Sequence, residues 1–323
     1  SETSTRKKAY EEFERIISDP GLSTKHRHKA REVFIASLES RRAKLIKALK
    51  GHKTFRAIET LRALKEELNR RRKEALRIIF DKKIYPDENH GAKGQPIVDE
   101  AVNKVRELWE RPFDFISKRD PSIAKLIDKL KEVNDVLARY APEKAKLDVD
   151  LEIIAQNVTT CINLRDFALN SQERSIIEYN KKVLEFNKKV ESSITEEERR
   201  VVKLTNEYRI MMGLKALEIN EKLVQCARKH SQWMAQKGQL SHYEDTPERK
   251  TPGQRAKLEG YSGPVGENCA MGMSAPEGAF NGWYHSSGHH RNMLRAEWNQ
   301  IGVGKAGPHW WTQNFGRGSP QAR

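Results

Sequence analysis

The chain has 323 residues, enough for two domains that each bury a core. With 37% hydrophobic and 33% charged residues, it reads as long exposed helices rather than one compact globule. The formal charge of +15 is spread along the chain, and no apolar run is long enough for a transmembrane helix, which leaves open an anionic partner such as phospholipid headgroups or an envelope polymer.

In chain order, Tyr10, Phe13, Ile16 and Ile17 share one face of a first helix, Thr5 to Ser18, that Asp19-Pro20-Gly21 stops. A second runs from about Ser23 to Leu49, with Val33, Phe34, Leu38, Leu45 and Leu49 as apolar positions. A third, Thr54 to about Asp81, carries Phe55, Ile58, Leu61, Leu64, Leu68, Leu76, Ile79 and Phe80 at amphipathic spacing. It also holds the sharpest basic run, Arg70-Arg71-Arg72-Lys73, without interleaved aromatic residues to stack bases, so nucleic acid is not an expected partner. Tyr85 to Pro96 is rich in turn formers and reads as a connector; its Asp87, Glu88 and His90 lack the spacing of a calcium loop.

Two helices, Val98 to about Trp109 and Ser122 to Tyr140, precede a long one that starts near Lys144. There Leu147, Leu151, Ile154, Val158 and Cys161 alternate at four and three residues. The alternation resumes out of phase after Asn170-Ser171-Gln172, as Ile176, Tyr179, Val183, Phe186 and Val190, which marks a bend or a locally unwound supercoil. Residues 1–192 thus read as an all-helical bundle or elongated coiled hairpin, suited to a spacer, a self-association surface or a partner-binding module. A new domain opens where Thr195 and Glu198 form a capping-box pattern, and it spans 195–323. Its helices are expected at Thr195 to Met212, about Asn220 to Gln236, Gln254 to Leu258 and Ala279 to Trp283, with a first clear strand at Glu267 to Met271.

The second domain carries six motifs in a characteristic order. They are Leu204-Thr205-Asn206-Glu207-Tyr208-Arg209, Leu240-Ser241-His242, Val265-Gly266-Glu267-Asn268, His285-Ser286-Ser287-Gly288-His289 with Arg291-Asn292, Ile301-Gly302-Val303-Gly304, and Trp311-Thr312-Gln313-Asn314-Phe315-Gly316. Together they resemble the CAP (SCP) family of cysteine-rich secretory proteins, antigen 5 and pathogenesis-related proteins, in its bacterial form. The resemblance covers about the last third of the chain and implies an α-β-α sandwich, so the whole chain is expected to be α+β. It also implies an extracellular, periplasmic or cell-envelope location. The chain begins at Ser1 without methionine, as a mature or trimmed chain would, so a targeting segment would not be visible.

The resemblance further implies a cleft with two histidines and two glutamates. His242 and His289 match the histidines and are the candidate ligands for zinc or another divalent metal. Glu267 matches the first glutamate and is the candidate catalytic base. The second glutamate is replaced by Ser286, which leaves His285 as the nearest substitute ligand. Two imidazoles and a carboxylate would suit a zinc site with an open position. A buried His–Glu hydrogen-bonded pair joining strand to helix is the structural alternative. Asn268, Trp283, Asn292 and Gln313 are expected to tie loops to the sheet through their amides and indole, and His290 reads as a surface or supporting group.

Three cysteines are too few for a disulfide framework. Cys226 and Cys269 could meet within the implied fold, though two small buried core residues are the simpler reading. The leading expectation is a binding protein rather than an enzyme, taking a lipid-like or envelope ligand. The rivals are a metal-dependent hydrolase of peptide or cell-wall bonds using His242, His289 and Glu267, and an assembly protein acting through the helices.

Overall fold

The computed structural model describes residues 2–87, 93–111, 121–145 and 163–322. Their helices are α1 (Glu2–Ser18), α2 (Thr24–Gly51), α3 (Lys53–Phe80), α4 (Gln95–Trp109), α5 (Pro121–Tyr140), α6 (Ser171–Lys189), α7 (Glu196–Met211), α8 (Glu221–Lys237), α9 (Pro252–Leu258), α10 (Pro276–Tyr284) and α11 (Ser287–Leu294). The strands are β1 (Glu218–Ile219), β2 (Val265–Met271), β3 (Gln300–Ala306) and β4 (Trp310–Gly316). The chain is α+β, as expected. Lys144, the expected start of a long helix, closes a 3-10 turn, Pro142–Lys144, and the rest of that helix through Cys161 lies outside the described residues, as do Glu88 and His90.

Capping chemistry explains several of these boundaries. The Ser23 side chain accepts from the His26 amide at the start of α2. Thr195 and Glu198 satisfy each other's backbone amides at the start of α7, and Thr251 and Gln254 do the same for α9. Asn220 caps α8, and Gly238, in the left-handed region at φ 63°, ends it.

The chain divides into two compact units: Ser1–Ala63 with Pro112–Leu169, and Leu64–Arg111 with Asn170–Arg323. The first is helical. Leu38, Val133, Leu137, Ala141 and Ala145 form a core between α2 and α5, and Phe34 stacks on Phe13 from α1 at 3.6 Å.

The second unit holds a four-stranded sheet in the order β1-β3-β4-β2, antiparallel except for the β1–β3 pair. Helix α8 crosses β3 so closely that a Cβ on Gly302 or Gly304 would lie 2.1 Å from the backbone of Leu223 or Arg228. The alternating glycines of Ile301-Gly302-Val303-Gly304 therefore let helix and strand backbones touch. On the other side Val201, Val202, Ala279, Trp283 and Met293, from α7, α10 and α11, share a core with Ile301, Val303, Trp311 and Phe315.

Hydrogen bonds tie the second unit together across residues 192–195. Asn187 on α6 donates to the Leu217 carbonyl and accepts from the Ile219 amide, each at 2.8 Å, so that α6 satisfies the outer edge of β1. Arg72, buried in α3, donates to the carbonyl of Met211 (2.8 Å) at the end of α7 and to that of Ile210 (3.2 Å), which also accepts from the Gly213 amide. The basic run at Arg70 is consequently no free patch: Arg70 and Arg71 pair with Glu67, and Arg72 is a buried clasp.

Candidate functional site

β2 is an outer strand, and its side chains alternate between the two helical layers. Glu267 points toward α9, where Arg255 NH2 contacts both carboxylate oxygens (2.9 and 2.7 Å). Asn268 points toward α11, where its amide meets the His289 carbonyl at 3.2 Å and Asn292 at 2.9 Å. His242, from the segment after α8, and His289, on α11, thus come from opposite layers and meet beside the edge strand, with ring centroids 6.3 Å apart.

The two histidines and Glu267 line a groove of about 910 Å³. Asn292, Arg291 and Arg295 add polar groups. Leu214 and Leu294 are apolar, and so are Leu76 and Phe80 from the last turns of α3. Phe80 is 43% exposed. His285 is not part of the lining: it sits exposed at the end of α10, with Nδ1 2.8 Å from the Asn281 carbonyl. Ser286, at the position of the absent glutamate, does line the groove.

Glu267 is the electrostatic centre. Burial would raise its carboxyl, but the hydrogen bond from His242 Nδ1 (3.0 Å) and the charges of Arg255 and His230 outweigh that and hold it below the ordinary carboxylate range. The Cys269 thiol also donates to it (3.4 Å), and the Asn314 amide, with its nitrogen turned to the carboxylate, reaches it at 3.1 Å. Arg255 has a second task. Its NH1 group donates to the carbonyls of His242 (3.1 Å) and Arg249 (3.1 Å), so one buried guanidinium fixes both the carboxylate and the loop that carries the histidine.

A buried trio, His230, Glu267 and Cys269, has donor atoms within 4.8 Å of one another, yet its chemistry does not suit a metal. His230 presents Nδ1 to Glu244 (2.9 Å) and Nε2 to the Ser241 carbonyl (2.8 Å), so neither nitrogen has a free lone pair. Burial, reinforced by Glu267, pushes the Cys269 thiol well above its usual range. Cys226 and Cys269 are both buried free thiols.

His290, beside His289, faces the opposite way and is fully buried, not a surface group. Its Nε2 meets the Tyr208 hydroxyl at 2.6 Å, and burial, aided by the charge of Arg291, lowers its pKa to about 3. The amides foreseen as ties make these contacts: Asn268 to Gln313 (3.1 Å), Gln313 to Thr205 (2.8 Å), and Asn292 to the Glu267 carbonyl (3.2 Å). The Trp283 indole donates to the Cys269 carbonyl (3.1 Å).

Sequence reasoning missed Arg255, one of 60 Lys and Arg residues; only the capping box before it hints that it lies on a short helix. It also missed Leu76 and Phe80, which look like any apolar positions of an amphipathic helix.

Residues 202–315 match the family model described as the cysteine-rich secretory protein family, CAP. Among curated proteins, the uncharacterized protein YkwD of Bacillus subtilis is 38% identical over 129 residues, which is 39% of this chain and 49% of YkwD. The uncharacterized membrane protein YlbC of the same organism is 31% identical over 126 residues, 38% of this chain and 34% of YlbC. The chain thus spans about half of the first relative and a third of the second. Among solved structures, an extracellular SCP-domain protein from Bacillus anthracis is similar over 38% of this chain and 40% of its own, at 30% identity and a TM-score of 0.36. An outer surface protein from Borrelia burgdorferi is similar over 39% of this chain and 95% of its own, at 20% identity and a TM-score of 0.36. No helix among the described residues is long and apolar enough to cross a membrane.

Proposed function

With residues 202–315 identified as a CAP domain of bacterial type, we propose that the chain is an extracellular or envelope protein that binds an amphipathic, lipid-like ligand in the His242–His289 groove without turning it over. The observation that carries this reading is the saturation of Glu267. A general base needs an available lone pair and a pKa near the working pH. Glu267 instead accepts from His242, Arg255, Cys269 and Asn314 and is held low. A hydrolase that used it would first have to break a buried ion pair.

The lining supports an amphipathic ligand. Leu76, Phe80, Leu214 and Leu294 offer apolar surface, while the two histidines offer donors for an anionic head and Arg291 and Arg295, paired with Asp87 and Glu297, add positive charge beside them. The histidine pair also fits a divalent cation. Glu267 occupies Nδ1 of His242, the outer-sphere arrangement that leaves Nε2 as a ligand. Two imidazoles on one zinc place their centroids about 5–6 Å apart, so the 6.3 Å seen here closes with a small side-chain adjustment. Zinc held there would supply a Lewis acid able to neutralise a carboxylate or phosphate headgroup.

Titration of the full chain with a fluorescent fatty acid, with and without zinc and chelator, tests this. Saturable uptake is expected, weakened about tenfold or more by Phe80→Asp, which removes a side chain's worth of apolar contact. Zinc binding should be lost in both His242→Ala and His289→Ala. Uptake indifferent to Phe80→Asp, or ester or peptide turnover that disappears in a folded Glu267→Gln variant, would overturn the reading.

A further inference from the structure

Among the described helices α2 has the largest excess of basic over acidic residues. Its 28 residues hold nine Lys and Arg against two Glu. In other helices several basic residues find acids one turn away: Arg15 with Glu12, Arg70 and Arg71 with Glu67, Arg77 with Glu74, Lys104 with Glu100, and Lys188 and Lys189 with Glu185. In α2 both acids are taken by other groups, Glu32 by His28 and Glu39 by Lys144. The arginines divide the structural work: Arg31 donates to the Tyr140 carbonyl (2.7 Å), Arg41 to the Tyr10 hydroxyl (3.2 Å) and Arg42 to the Lys144 carbonyl (3.1 Å).

Apart from Arg27, which is half-buried and lies about 200° around the helix from Lys25, what remains is Lys25, Lys29, Lys44, Lys47 and Lys50, all exposed and, among the described residues, without an acidic partner. At 100° per residue they fall within an arc of about 120°, along about 37 Å of helix. Between them on the same face lie Ala36, Ser40 and Ala43, small enough to let a flat surface approach, and Val33, 61% exposed; Glu32, paired with His28, lies at the edge of the arc. Helix stability accounts for Lys50, in the last turn where the dipole favours a cation, but not for the other end of the row. Lys25 sits in the first turn, with no acid there, where the positive end of the helix dipole repels it.

We propose that this lysine face docks the protein on an anionic lipid bilayer surface. The ammonium groups gather at the two ends of α2, with about 22 Å between Lys29 and Lys44. A continuous sheet of headgroup charge accommodates that gap, whereas a single threaded polyanion would leave it empty. The one phenyl ring of α2, Phe34, is stacked on Phe13, which leaves nothing on α2 to stack a nucleobase. Lysine heads on long stems also suit diffuse headgroup charge better than bidentate recognition.

The test is co-sedimentation of the full chain with unilamellar vesicles of phosphatidylcholine, alone or with phosphatidylglycerol, at two salt concentrations. Each lysine near an anionic surface strengthens partitioning about fivefold. Replacing all five with Gln should therefore weaken binding to the anionic vesicles by more than about a hundredfold, with an unchanged circular dichroism spectrum. A control variant removes the same net charge from lysines that already have acidic partners, Lys181→Gln, Lys188→Gln, Lys189→Gln, Lys203→Gln and Lys237→Gln. It should lose far less. Salt should release the wild type and leave neutral vesicles unbound throughout. Equal losses in the two variants would reduce the effect to net charge and overturn the proposal. So would failure to bind anionic vesicles, or binding to duplex DNA under conditions where vesicles stay free.

Discussion

The groove has two sides of different origin, each fastened by a buried arginine. The side carrying Glu267, His242 and His289 lies within the residues that match the CAP family, and its fastener, Arg255, is paired with a carboxylate. The side carrying Leu76 and Phe80 comes from chain outside the match. Its fastener, Arg291, donates to the carbonyls of Ile79 (3.0 Å) and Tyr85 (2.8 Å) and to Asp87, with the Tyr85 ring 5.6 Å from the guanidinium. The first side is held by a buried ion pair, the second by carbonyls at and after the end of α3 together with the half-exposed Asp87. The added wall is thus fixed without a buried carboxylate of its own.

Removing each fastener should separate the two sides, and Arg255 should matter most. Arg255→Ala leaves the Glu267 carboxylate buried without its counter-charge and frees the carbonyls of His242 and Arg249. Orphaned buried charges of this kind cost about 3–5 kcal/mol. Urea unfolding should register that loss. Adding Glu267→Gln to Arg255→Ala should recover part of it, since the double variant no longer buries a charge. Recovery of nothing would mean that the loop carbonyls, not the carboxylate, are what Arg255 serves.

Arg291→Ala should cost less, about 1.5–3 kcal/mol for hydrogen bonds from a charged donor, because Asp87 is half exposed and remains solvated once released. The larger consequence is expected in the groove. The turn after α3 loses its anchor, so fatty-acid uptake should weaken while zinc binding at His242 and His289 persists. Arg291→Lys should rescue poorly, since one ammonium cannot span two carbonyls and a carboxylate in the same fork. Equal loss of zinc and fatty acid would erase the distinction between the two sides.

These two sides were also unequally legible in the sequence. The motifs around His242, Glu267 and His289 identified the polar side because spacing and residue type together are informative there, and the capping box at Thr195 marked the start of α7 correctly. The other side was not legible, since Leu76 and Phe80 differ in nothing from core positions of the same helix. Only tertiary contacts made by Arg72 and Arg291 turn those residues toward a groove. The tie across residues 192–195 was hidden for the same reason: Asn187 fits α6 as an ordinary polar position, and nothing local shows that its amide completes the edge of β1.

A third join between the added chain and the CAP domain supplies the smallest effect, and the one with a pH signature. The Glu221 carboxylate on α8 accepts from both Ser193 groups (backbone amide 2.9 Å, hydroxyl 2.7 Å), from Gln225 (2.7 Å) and from the Ser192 hydroxyl, just where the chain enters α7. Burial opposes ionisation, but the hydrogen bonds from Ser192, Gln225 and Ser193 prevail and lower its pKa from 4.5 to about 2. A carboxyl depressed on folding stabilises the protein above its unfolded pKa and ceases to do so as pH falls through the folded value. Because Glu221 is largely solvated, the contribution is discounted to about 1 kcal/mol. Wild type and Glu221→Gln should therefore differ in unfolding free energy above pH 4.5 and converge as the pH is lowered toward 2. If the gap stays constant across that range, the join is held by geometry rather than by charge, and it resembles Asn187 on the edge of β1 more than Arg255 beneath the groove.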